Sequence, residues 1–213
     1  MCYDNEYRMN KSRREKIMKK RIVFATGNAG KMKEIKMILG DLGMPVVSMK
    51  EAGIEADIVE DGTSFAENAQ IKASAVFEKC HDIVLADDSG LEIDYLNKEP
   101  GVYSARYMGE DTSYDIKNQA LLDRLEGVPK EKRTARFVCV ISAVVPGCKE
   151  PFTVRGTIEG YIGWEPAGEN GFGYDPIFYV PDLDCSTAQL SMEEKNKISH
   201  RGKALRAIKD ELK

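Results

Sequence analysis

Apolar positions along the chain alternate between short unbroken runs and stripes of helical spacing. Ile22 to Ala25 is a short apolar run that stops at the turn-forming Thr26-Gly27-Asn28. From about Gly30 to Leu39 the apolar Ile35, Ile38 and Leu39 share one side of a helix, and Gly40 ends it. Val46-Val47-Ser48 reads as a second short strand. Ser64-Phe-Ala-Glu67 fits a capping box, in which the two side chains satisfy each other's amides, and opens a helix to about Cys80. Ile83 to Ala86 is apolar throughout, the mark of a buried strand, and runs into Asp87-Asp88-Ser89-Gly90 at what reads as the strand's end.

The second half continues the alternation. Thr112 to Leu125 has helical spacing, and Ala135 to Val145 is β-branched and apolar on both faces, which suits a central strand. Pro146-Gly147 turns the chain, and Phe152 to Ile158 returns as the hairpin partner. A glycine-rich loop spans Gly168 to Gly173. Ser191 to Glu194 is a second capping box, and a last helix spans about Ser199 to Leu212. There is no internal repeat. The pattern predicts a mixed α/β protein with a long sheet.

Composition narrows the chemistry. The 213 residues are 42% hydrophobic and 31% charged, enough for one large domain or two halves around a cleft. A net charge of −4 argues against nucleic acid as a partner, since backbone binding wants a basic face. A small polyanion needs only a few focused lysines. No apolar run approaches the roughly 20 residues of a membrane span. The five cysteines are scattered and odd in number, with no C-x-x-C pair, which predicts reduced thiols and a cytoplasmic setting. With only two histidines, His81 and His200, metal chemistry should rest on carboxylates, hence Mg²⁺ or its substitute Mn²⁺. Residues 1–20 are polar and basic and read as a loosely held extension before a domain at 21–213.

Five segments carry candidate chemistry. Thr26-Gly27-Asn28-Ala29-Gly30-Lys31 places glycines, a helix start and a cation together, as a phosphate site needs. It is not a P-loop, because the glycine spacing is too short and Met32 stands where a hydroxyl would hold Mg²⁺. Asn68 and Lys72, four apart, share a helix face. Glu60-Asp61 before them supplies metal ligands or merely favours the helix start. Asp87 and Asp88 after a buried strand need a partner, and a cation or a water to orient fits. Gly168 to Pro176, with Phe172, Gly173, Tyr174 and Asp175, can wrap a flat ring. Lys195, with Ser199-His200-Arg201 at a helix junction, suits an oxygen-rich ligand. Each also has a bland reading as a turn, a solvated flank or a structural loop.

In this order, ATGNAGK (25–31), EDGTSFAENAQIKA (60–73), LADDSGLEIDYL (85–96), PGVYSARY (100–107), GFGYDPIF (171–178) and EEKNKISHRGKAL (193–205) resemble the inosine triphosphatase family, the XTP/dITP diphosphatases. The resemblance implies two α/β lobes around a long, twisted mixed sheet with flanking helices, a central cleft and a homodimer. It implies hydrolysis of ITP, dITP and XTP to monophosphate and pyrophosphate with Mg²⁺. Asp88 matches the catalytic acid and metal ligand, and Glu60 the second metal carboxylate, with Asp57 and Asp61 as neighbouring alternatives. Thr26 to Lys31, Asn68 and Lys72 match triphosphate positions, and Ser89 a substrate contact. Phe172, Gly173, Tyr174, Asp175, Lys195, His200 and Arg201 match base-side and closing contacts. On this reading His200 and Arg201 donate to the six-oxo group, and Asp175 with its loop excludes the two-amino group of guanine. A phosphatase that removes only the terminal phosphate and a non-catalytic nucleotide-binding regulator are the rival readings.

Overall fold

A computed structural model describes residues 21–213, and the extension read at residues 1–20 lies outside the described residues. Seven strands form one mixed sheet in the order β2-β1-β3-β4-β5-β6-β7. They are β1 (Ile22–Phe24), β2 (Val46–Ser48), β3 (Ile83–Ile93), β4 (Thr134–Val144), β5 (Phe152–Ile162), β6 (Phe178–Val180) and β7 (Cys185–Ser186). β1 pairs in parallel with β2 and β3, and every later pairing is antiparallel. The helices are α1 (Ala29–Leu39), α2 (Phe65–Cys80), α3 (Tyr114–Arg124), α4 (Met192–Ile198) and α5 (His200–Glu211).

Alternation along β3 assigns its two faces. Ile83 and Leu85 join α1 and α5 in one core cluster, with Ile35, Leu39, Leu205 and Ile208. Val84 and Ala86 point the other way, to Ala73 and Val76 of α2. Farther along the first face, Leu91 and Ile93 belong to a separate cluster with Leu121 and Leu122 of α3, Phe137 and Phe178. Between those clusters, on the same face, come Asp87 and Ser89. On this face two apolar clusters, one under α1 and α5 and one under α3, flank the polar Asp87 and Ser89 of β3.

Three local features depart from expectation. β3 does not end at Ala86 but runs to Ile93, so Asp87 lies opposite Ile141 and Asp88 opposite Val140 inside the ladder with β4. What ends here is the parallel pairing: β1 stops at Phe24, opposite Leu85, and the last link is Ala25 N–H to the Leu85 carbonyl at 2.7 Å. The two carboxylates thus sit on a strand whose other edge is free of β1. The capping box at α2 slips by one residue. Ser64 Oγ accepts from Glu67 N–H, but the Glu67 carboxylate accepts from the backbone and hydroxyl of Thr63 at 2.6 and 2.8 Å. The box at α4 is complete. β5 extends to Ile162, past the expected Ile158, because Arg133 is buried beside its end and donates to the carbonyls of Leu125, Ile162 and Gly163.

Close packing between α5 and β5 depends on Gly156, where a Cβ would fall on the His200 carbonyl and the Ala204 amide. Gly156→Ala should lower unfolding stability by about 1–3 kcal/mol through overpacking. Urea denaturation midpoints check this, and a wild-type midpoint would contradict it.

Candidate active site

The site gathers around Asp87 and Asp88, whose side chains leave β3 on opposite faces. Asp87 is 2% exposed and meets Lys31 Nζ at 3.1 Å and Arg201 Nε at 3.3 Å. Ser89 Oγ donates to it at 3.1 Å. Burial alone would raise its pKa, but the Lys31, Arg201 and Lys72 charges outweigh burial and hold the carboxyl far below the ordinary carboxylate range. Arg201 also donates to Glu34 of α1 at 2.9 Å, and between the two acids its pKa rises despite complete burial.

Lys31 is placed by its own helix. Asn28 is the N-cap of α1: its side chain accepts from Lys31 N–H at 3.1 Å, while Asn28 N–H donates to Thr26 Oγ1 at 3.2 Å. Thr26 is buried, whereas Gly27, Asn28, Ala29 and Gly30 are exposed on the rim. A helix start of this kind leaves backbone N–H groups without intrahelical partners, as an anion site requires.

On the other face Asp88 meets α2. Asn68 Nδ2 donates to it at 3.3 Å and Lys72 Nζ at 3.4 Å. Lys72 simultaneously donates to Glu60 at 2.8 Å, so one ammonium lies between two carboxylates. Of the acids at 57, 60 and 61, Glu60 is therefore the one brought to the cluster. Burial and the nearby Glu60 charge raise the Asp88 pKa against the pull of Lys72. The Lys72 pKa rises because Asp88, Asp87 and Glu60 outweigh its desolvation. Among the described residues no three His, Cys, Asp or Glu side chains gather as a ready metal cage.

A third group lies in the glycine-rich loop. Asp175 is 2% exposed and fully engaged: it accepts from Phe172 N–H at 2.8 Å, Thr187 Oγ1 at 2.8 Å and Lys195 Nζ at 2.6 Å. It anchors the loop, and a carboxylate would attract rather than repel an amino donor, so the expectation that Asp175 excludes guanine does not fit its position. The half-exposed Phe172 ring faces two cations, with Lys195 Nζ 5.0 Å and Arg201 Cζ 5.5 Å from its centroid. His200 stacks on Phe137 at 4.9 Å, and its buried Nδ1 has no hydrogen-bond partner. Burial and the neighbouring Arg201 and Lys195 charges hold its pKa well below the usual value, so it is neutral at pH 7. Tyr174 does not join the cluster through its hydroxyl, which donates to the Ser104 carbonyl at 2.7 Å within the far core.

Sequence reasoning missed several supports. Glu34 lies on α1 three residues after Lys31, an acid on an otherwise apolar flank, and that was its available signal. Arg106 donates to the Glu60 carbonyl at 3.3 Å. Ser104 Oγ accepts from Leu91 N–H at 2.9 Å and donates to the Gly101 carbonyl at 2.6 Å. That contact holds the 3₁₀ strap Gly101–Arg106 against β3. Its proximity needs Gly90, where a Cβ would strike the Gly101 carbonyl. Nothing in the spacing of these residues announces their contacts.

Comparison with known proteins places the chain in a family. The profile of the Ham1 family matches residues 22–211. A dITP/XTP pyrophosphatase of Bacillus licheniformis is 50% identical over 190 residues, covering 89% of this chain and 96% of the relative. A dITP/XTP pyrophosphatase of Bacillus subtilis is 50% identical over 192 residues, covering 90% and 96%. Among solved structures, the Staphylococcus aureus Ham1 protein superposes with a TM-score of 0.81 at 45% identity, covering 90% of this chain and 97% of that one.

The Asp87 cluster predicts a distinctive pH dependence. Asp87→Asn leaves Lys31 and Arg201 short of a counter-charge and should cost roughly 3 kcal/mol of stability at pH 7. A carboxyl depressed by folding contributes stability that is complete above its unfolded pKa, near 4, and is lost as pH falls toward the folded value. The difference between wild type and variant should therefore shrink below about pH 4, by about 1.4 kcal/mol per unit. Urea titrations between pH 7 and 2.5 check it, and a constant difference would count against the pairing.

Proposed function

The chain belongs to the Ham1 family, and from that premise we propose that it hydrolyses dITP, XTP and ITP to the monophosphate and pyrophosphate. The observation that carries this reading is that adjacent residues of β3 hold three cations, Asp87 pairing with Lys31 and Arg201 on one face and Asp88 with Lys72 on the other. This arrangement combines a basic cradle for a triphosphate with a partly shielded carboxylate for water.

The residues fit Mg²⁺ or Mn²⁺. Asp88 and Glu60 offer hard oxygens already close enough to share one ammonium, and Mg²⁺ characteristically takes one or two carboxylates and completes its shell with water and substrate phosphates. When bound, the ion would withdraw electron density from the phosphates and neutralise charge developing on the leaving group. The chain's own residues do the rest. The first turn of α1, Lys31 and Lys72 bind and orient the polyphosphate. Asp88 accepts the proton of the attacking water. Water adds to the α-phosphorus, the α–β bridging oxygen leaves with pyrophosphate, and no covalent enzyme intermediate is needed.

Base selection follows from the donor-rich pocket beside Phe172. The ring stacks the purine, and the Arg201 and Lys195 cations that face it meet carbonyl oxygens. The exocyclic amino group of adenine or guanine would face donors and leave polar groups unpaired, a strong basis for rejection. The homodimer and the cytoplasmic setting belong to the same proposal; no described helix is long and apolar enough to cross a membrane. Sedimentation tests the dimer.

The decisive measurement is the product. Purified protein with Mg²⁺ should release pyrophosphate from dITP and XTP far faster than from dATP or dGTP, and Asp88→Asn should reduce that release at least about 100-fold. Orthophosphate with diphosphate as products, or an active Asp88→Asn variant, would overturn the reading.

A further inference from the structure

α3 carries two adjacent buried polar side chains that the proposed chemistry does not use. Lys117 is 1% exposed and donates from Nζ to the Ala105 carbonyl of the strap at 2.7 Å. Asn118 is 3% exposed and donates from Nδ2 to the Gly173 carbonyl of the glycine-rich loop at 3.1 Å. Its Oδ1 is buried without a hydrogen-bond partner. An orphaned acceptor of this kind is destabilising, a penalty that a leucine of similar size would not carry. What asparagine offers here is therefore the Nδ2 bond to Gly173.

That bond falls at a sensitive place. Gly173 occupies a left-handed turn at φ 72°, and the residue before it is Phe172. The loop is held at Phe172 N–H by Asp175 and at the Gly173 carbonyl by Asn118. These two contacts bracket the aromatic ring that faces Lys195 and Arg201. The Asp175 contact is backed by Thr187 and Lys195, whereas the Gly173 carbonyl is held from α3.

We propose that Asn118 is a specificity-determining positioning residue: by fixing the Gly173 carbonyl it sets the placement of Phe172 over the two cations, and so the discrimination between oxo and amino purines. It does not touch substrate. This inference rests on the reading of the site as a purine nucleoside triphosphate pyrophosphatase.

The test compares Asn118→Leu, which removes the donor at similar volume, with Asn118→Asp, which turns an acceptor toward the Gly173 carbonyl. Kinetics are measured with dITP and dGTP by pyrophosphate release. In both variants KM for dITP should rise at least about fivefold and the dITP/dGTP ratio of kcat/KM fall at least about fivefold, with kcat for dITP within about threefold of wild type. A purely structural role would lower kcat for both substrates together and leave KM and the ratio unmoved, and that result would overturn the proposal. If neither variant folds, Asn118→Ser, too short to reach Gly173, carries the same comparison, and wild-type discrimination in it is equally fatal. Failure of the wild-type protein to release pyrophosphate would sink the proposed function itself. Normal wild-type release with unmoved discrimination in the variants sinks this inference alone.

Discussion

A carboxylate in the middle of a buried strand has no solvent to stabilise its charge, and Asp87 obtains that stabilisation from cations on two different helices. Lys31 comes from the start of α1 and Arg201 from the start of α5, and Glu34 completes the chain of alternating charge. The contact does more than neutralise Asp87. It draws two helix starts and their cations to the same carboxylate of the sheet. Without it, α1 and α5 would still have apolar faces to bury, but their polar ends would have no common focus.

The sheet supplies the complementary constraint. Because β1 stops at Phe24 while β3 continues to Ile93, the strand bearing both acids is covered along one edge by β4, while its other edge loses its strand partner after Leu85 and is taken up again at Leu91 by the Gly101–Arg106 strap. Adjacent residues on a strand point to opposite faces. The geometry therefore splits two sequence neighbours between two tasks, Asp87 with α1 and α5, Asp88 with α2.

Much of this was legible beforehand, for identifiable reasons. Short apolar runs and 3.6-residue spacing marked the strands and helices, since burial imposes those periods. Asp88, Lys31 and Lys72 stood out because charged residues beside apolar runs require partners. Charge at Asp87 and Asp88 suggests the end of a buried strand, whereas ion pairing lets β3 continue through both. Glu67 was assigned to Ser64 although Thr63 offers it two donors. Glu34, Arg106 and Asn118 act over separations of 167, 46 and 55 residues. Local pattern carries no information about contacts at that range, and tertiary packing alone brings them together.

The reach of Arg201 has a temporal meaning as well. It stands 114 residues beyond Asp87, so during synthesis β3 and its acids are made long before the guanidinium that closes the cluster. Chain emerging at about 5–20 residues per second spans that interval in some seconds. Until then the partly made protein carries an acidic, half-neutralised strand rather than a working centre. The charge cluster around Asp87 is consequently complete only once the chain has been made through α5.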